Sequence, residues 1–168
     1  MANGPKSQQH LMDAFAGESQ ANRKYLAFAK QADQEGFTQV ARLFRAAAEA
    51  ETVHAHSHLR TAGGVAETAK NLVEAIAGET HEFKDMYPQM IADAELEGSD
   101  AARRSFVFAN AVEKVHASLY QRALDTLGTA TEEFDYFICP VCGYTAERQA
   151  PERCEVCGAQ GSVFYKPA

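Results

Sequence analysis

The 168-residue chain reads as mainly α: an antiparallel four-helix bundle followed by a small metal-knot domain. Three observations predict this. Apolar residues recur every three or four positions through four long segments up to Gly128, each closed by glycine. A glutamate stands on the inward stripe of each segment. All four cysteines fall within Cys139–Cys157, in two Cys-x2-Cys pairs.

The first helix spans residues 6–35, with Leu11, Phe15, Glu18, Asn22, Tyr25, Phe28 and Ala32 on one face and Gly36 as its stop. The second runs from about Thr38 to Thr61, with Val40, Leu43, Ala47, Glu51, His54 and His58 facing inward, and ends at Gly63-Gly64. The third begins near Thr68, a candidate N-cap, and carries Leu72, Ile76, Glu79, Glu82 or Phe83, Met86 or Tyr87, and Met90. Pro88 is expected to kink it or interrupt its hydrogen bonding. Gly98 ends that segment and Ser99 caps the fourth helix, whose inner face holds Ala102, Phe106, Ala109, Glu113, His116, Tyr120 and Leu124. Short turns join the helices, as antiparallel packing requires. The connection between the second and third helices is also short, so helices exchanged between subunits are an alternative there.

The two halves read as an internal repeat of one helical hairpin. Glu18 precedes Glu51 much as Glu79 precedes Glu113, and an aromatic follows each lone glutamate two turns on, Tyr25 and Tyr87. Thr129–Phe134 is a polar, acidic linker. Asp135–Ile138 reads as a short strand leading into the cysteines, and Val163–Tyr165 as a terminal strand. The expected domains are 1–131 and 135–168. So small a second domain needs a metal to fold.

A net charge of −7 with no basic cluster argues against nucleic-acid binding through phosphates. No apolar run is long enough for a membrane span, and the N-terminus lacks a signal-peptide core. The expectation is a cytoplasmic protein, where paired cysteines bind metal rather than form disulfides.

One Glu-x-x-His on a helix is usually a solvated pair. Four glutamates on core faces are different, because an unpaired buried carboxylate costs several kcal/mol, or about that, unless protonated. Shared cations remove the difficulty. Carboxylate oxygens with two imidazoles suit iron or manganese. One Glu from each of two helices with Glu-x-x-His from each of the other two is the ligand pattern of ferritin-like di-iron bundles. Glu18, Glu51, His54, Glu79, Glu113 and His116 are therefore the expected metal ligands, with Glu82, one turn after Glu79, as an extra. His10, His56, His58 and His81 are more simply ordinary histidines. Tyr25 and Tyr87 are core aromatics whose hydroxyls could serve a nearby metal pair.

Cys139, Cys142, Cys154 and Cys157 form Cys-x2-Cys-x11-Cys-x2-Cys, a four-thiolate site for iron or zinc. Gly143 and Gly158 follow the two pairs, where backbone N–H groups can bond sulfur.

Gly17-Glu18-Ser19-Gln20-Ala21, Glu51-x-x-His54, Gly78-Glu79-x-x-Glu82, Met86-Tyr87-Pro88 and Glu113-x-x-His116 together resemble the rubrerythrin family, in family order and over nearly the whole chain. The cysteine segment is similar to the rubredoxin-like domain that follows in those proteins. Two departures stand out. The link between the second and third helices is shorter than in the best-known members, and Cys154-Glu155 replaces the Cys-Pro common in rubredoxins.

The resemblance implies a ferritin-like di-iron peroxidase serving oxidative-stress defence. Two ferrous ions each give one electron to hydrogen peroxide, which with two protons becomes two waters. Glu51 and Glu113 would bridge the irons; Glu18 would bind one, Glu79 and His116 the other. The first iron would exchange Glu82 for His54 on reduction, and Tyr25 and Tyr87 would assist. One further iron, with zinc as a possible substitute, would occupy the cysteine site and pass on electrons from a reductase or rubredoxin. A ferroxidase or iron-handling protein on the same fold is the alternative. At 1.5 Å per residue the bundle end lies roughly 22 Å from the metals. This favours a head-to-tail homodimer with each knot beside its partner's irons, unless the linker folds back.

Overall fold

The computed structural model describes residues 4–129 and 132–167. The domain limits expected at residues 1, 131 and 168 lie outside these. The helices are α1 (Pro5–Gln34), α2 (Thr38–Thr61), α3 (Thr68–His81), α4 (Tyr87–Leu96) and α5 (Asp100–Asp125), with a π-turn at Glu82–Met86 between α3 and α4. The chain forms two compact units, one ending at Ala66 and the other beginning at Glu67.

The first unit is the α1/α2 hairpin. Pro5 sits in the first turn of α1, where a missing N–H sacrifices no intrahelical bond. The seam of α2 is an alanine row, Ala41, Ala48 and Ala55, all buried, against Asn22, Ala29 and Ala32 of α1. Alanines two turns apart let the backbones approach closely, so the larger Val40 and Leu43, expected inside, stand beside the seam. Leu43 is 67% exposed.

The second unit pairs α3, the π-turn and α4 with α5, then adds the cysteine-bearing segment. Both hairpins turn in the same way. Gly36 and Gly98 adopt φ of 82° and 67°, and Phe37 N–H donates to Ala32 O (2.8 Å) as Ser99 N–H does to Ala94 O (2.9 Å). These are glycine-closed helix ends, and they bear out the repeat. Ser99 occupies the N-cap position of α5 without a side-chain capping bond, and Thr68 is the first residue of α3 rather than its cap.

The interruption expected at Pro88 lies upstream of it. Tyr87 N–H donates to Glu82 O, five residues back. The proline ring would crowd the carbonyl of residue 84 in a continuous α-helix. One wide turn relieves this, and α4 restarts with Pro88 in its first turn.

In the C-terminal segment β1 (Tyr136–Ile138) pairs antiparallel with β2 (Thr145–Glu147), Phe137 opposite Ala146. Tyr165 returns to bridge Ile138. The expected terminal strand is thus one bridging residue, preceded by a 3-10 turn at Gly161–Val163. A Cβ on Gly161 would lie 1.9 Å from Pro151 O, so only glycine fits there.

Candidate metal centres

Each hairpin gathers one carboxylate–histidine group. In the first unit Glu18 from α1 meets Glu51 and His54 from α2, with one donor atom of each within 4.8 Å of the others. His54 Nδ1 is 3.0 Å from Glu51 Oε2. One turn after Glu18, the buried Asn22 amide donates to Ala48 O (2.7 Å) and Thr52 Oγ1 (2.9 Å). That clamp pins α1 to α2 beside the glutamates. Tyr25 packs its ring with Phe28 and Phe44.

In the second unit Glu79 from α3 meets Glu113 and His116 from α5 within the same 4.8 Å. His116 Nδ1 lies 2.7 Å from Glu113 Oε2 and 3.7 Å from Glu79 Oε1. Burial, together with the charge and hydrogen bond of Glu113, pushes the Glu79 carboxyl up to about 7. Two half-buried carboxylates this close cannot both ionise cheaply without a cation. The hydrogen bond to Glu113 raises the His116 imidazole against the effect of burial.

Glu82 lies outside the tight three-residue group but belongs to its field. Burial and the charge of Glu113 raise its carboxyl. Tyr87 likewise is raised by burial and by Glu82, Glu113 and Glu79. Tyr120 responds to burial, Glu79 and Glu113 in the same way. It was not singled out from sequence, although its place one turn after His116 signalled it.

The four cysteines converge, Cys139 Sγ 3.6 Å from Cys157 Sγ and Cys142 Sγ 3.5 Å from Cys154 Sγ. Cys139 and Cys154 are buried. Gly143 and Gly158 have positive φ, but their own N–H groups donate to the carbonyls of Cys139 and Cys154. The backbone donors to Cys142 and Cys157 sulfur are Tyr144 and Ala159, one residue further on. Each glycine turns the chain so that its successor's N–H meets the thiolate.

The donor chemistry fits metal at all three places: hard oxygens with an imidazole in each hairpin, four thiolates in the knot.

The distance reasoning behind a partner's knot does not hold, because the linker folds back. Arg122 Nη2 reaches Glu147 Oε2 (2.6 Å). Arg148 donates to Glu132 through both Nη1 and Nη2 and lies over the Phe134 ring. Lys166 pairs with Asp135. The knot therefore lies along its own α5: Val141 and Cys142 face Ser105, Phe108 and Ala109, and Thr145 Oγ1 is 2.9 Å from His116 Nε2. One charge pair from the last turn of α5 to β2 and one from the linker to the residue after β2 hold this return, which no local spacing rule encodes.

Among the described residues, no helix is long and apolar enough to cross a membrane. The family model "Rubrerythrin" matches residues 9–124, and "Rubrerythrin, rubredoxin-like domain" matches 137–165. Rubrerythrin-2 of Clostridium acetobutylicum is 35% identical, over 92% of this chain and 92% of its own. Nigerythrin of Nitratidesulfovibrio vulgaris is 35% identical over 93% of this chain and 84% of its own. A solved structure of fully reduced, all-ferrous nigerythrin matches with a TM-score of 0.58 at 32% identity, covering 99% of this chain and 89% of that one.

Proposed function

The chain belongs to the rubrerythrin family, and from that premise we propose that it is a cytoplasmic non-haem iron peroxidase. It reduces hydrogen peroxide to water in oxidative-stress defence, with electrons entering through its own rubredoxin-like knot. The observation that carries this reading is the joint presence, in one chain, of both carboxylate–histidine groups and a four-thiolate knot folded against the helix bearing His116.

Glu18, Glu51 and His54 would hold iron in the first unit and Glu79, Glu113 and His116 would hold it in the second, with Glu51 and Glu113 as the permanent ligands. When bound, a ferrous pair provides the two electrons that cleaving the O–O bond requires. The chain's own residues do the rest. Glu79, whose carboxyl burial and Glu113 push up to about 7 in the metal-free protein, would give up its proton on holding a cation. Glu82 and His54 are the exchangeable ligands. Tyr87 stands in the field of Glu82, Glu113 and Glu79, and Tyr25 would assist from α1. The knot would hold iron through the thiolates of Cys139, Cys142, Cys154 and Cys157, with zinc as an electron-silent substitute. A reductase or a rubredoxin is the external donor, and the working form is a homodimer.

An iron-oxidising or iron-storing role needs neither the knot nor Glu82. The discriminating experiment is anaerobic reduction of the iron-loaded protein, which bleaches its red colour, followed by mixing with peroxide or oxygen. The peroxidase reading requires faster reoxidation by peroxide; faster reoxidation by oxygen transfers the assignment to an oxidase.

A further inference from the structure

The two ligand-face histidines are held differently. His54 pairs through Nδ1 with Glu51 and its side chain is 55% exposed. His116 pairs through Nδ1 with Glu113, and its other nitrogen is held from a separate element: Nε2 lies 2.9 Å from the Thr145 hydroxyl. Thr145 opens β2 three residues after Cys142, and its backbone is fixed opposite Ile138 in the two-stranded sheet.

A threonine hydroxyl has one hydrogen and two lone pairs. Gly143 O, 3.3 Å away, is the acceptor for that hydrogen. The lone pairs then accept from His116 Nε2–H, while Nδ1, 2.7 Å from Glu113 Oε2, donates there in the metal-free protein; once Nδ1 gives up its proton, the Nε2–H tautomer remains with Nδ1 free to ligate. A ligating imidazole needs this tautomer, and a partner on its far nitrogen sets both tautomer and ring plane. We propose that Thr145 is the positioning residue of His116, so that the docked thiolate knot itself orients a ligand of the carboxylate–histidine group. The same contact makes a short chain of groups from Cys142 through the Gly143 carbonyl and Thr145 hydroxyl to the imidazole.

This rests on the proposed iron ligation by Glu79, Glu113 and His116. The test uses full-length protein, Thr145→Val as the isosteric loss of the hydroxyl and Thr145→Ser as the conservative control. Two readouts are taken: nitrogen-15 spectra of the His116 ring in protein with zinc in the four-thiolate knot and the carboxylate–histidine groups empty, and ferrous-ion titration of those groups. Retained red colour of the same variant with iron in its knot serves as the fold control. If Val loses the colour, Thr145→Ala replaces it.

The expected result is an exchange-protected Nε2 proton in wild type and Ser but not in Val, with ferrous affinity about 10–100-fold weaker in Val and restored in Ser. Val retaining both the protected proton and wild-type affinity overturns the proposal, as does Ser behaving like Val. Neither readout requires turnover. A wild-type chain that binds iron but fails to reduce peroxide would sink the peroxidase reading and leave the Thr145 result intact.

Discussion

His54 Nδ1 and Glu51 Oε2 are 3.0 Å apart, yet the histidine side chain is 55% exposed and the glutamate 18%. Two neighbours on one helix face thus have unequal freedom to move. His54→Ala is expected to keep iron in the oxidised protein while slowing reduction or turnover, whereas Glu51→Ala loses metal. Iron content and single-turnover kinetics on both variants check this, and equal metal loss would remove the distinction.

Asn22 is the buried polar link between α1 and α2. Its amide donates to both Ala48 O and Thr52 Oγ1. Asn22→Ala is expected to destabilise the metal-free protein by about 1–3 kcal/mol, read from urea unfolding. Because Thr52 also donates to Ala48 O (3.1 Å), that carbonyl keeps one partner and the loss should fall toward the low end. A value near zero would mean that the clamp does not hold the hairpin.

Glu79 and His116 make the metal-free protein sensitive to pH in one direction. Between 4.5 and about 7 the folded Glu79 carboxyl keeps a proton that the unfolded chain releases, so stability falls as pH rises through that window. The raised His116 contributes stability below its ordinary 6.5 that is lost as pH climbs through its folded value. Thermal melts of metal-free protein should therefore fall with rising pH more steeply in wild type than in Glu79→Gln. Ferrous affinity runs the other way, rising over the same range as protons leave. Identical melting slopes in wild type and Glu79→Gln would refute the assignment.

Gly161 has no room for a side chain, since a Cβ would meet Pro151 O at 1.9 Å. Gly161→Ala must shift the backbone on the Cys154 side of the knot. The expected outcome is loss of red colour and of iron uptake by the four thiolates, with the helical circular-dichroism signal retained. A variant that assembles a normal iron–thiolate spectrum would show that the turn can relax.

The helices, their glycine stops and the glutamates that gather in each hairpin were legible because each follows from spacing within one segment. α2 begins and ends at the expected Thr38 and Thr61, and Gly36 and Gly98 close their helices with positive φ. What spacing does not carry is which small residues form a seam. Ala41, Ala48 and Ala55 look like filler between Val40 and Leu43, yet they are the contact row. The π-turn was visible only as a disturbance near Pro88, since a wide turn changes which carbonyl is used and leaves no residue-type signature. Thr145 and Arg122 were out of reach for a different reason. Their partners, His116 and Glu147, are brought near only once the chain has doubled back.

If the chain works as proposed, that return also sets the supply of reducing equivalents. A separate donor must be met by diffusion, and its delivery slows in proportion to its dilution. Here Arg122–Glu147 and the Arg148 clasp keep the thiolate knot beside α5 of the same chain. A short tether of this kind corresponds to a local concentration on the order of millimolar. An electron passed on from that knot, as the proposed function requires, would move in a first-order step, its rate independent of how many copies of the protein a cell contains.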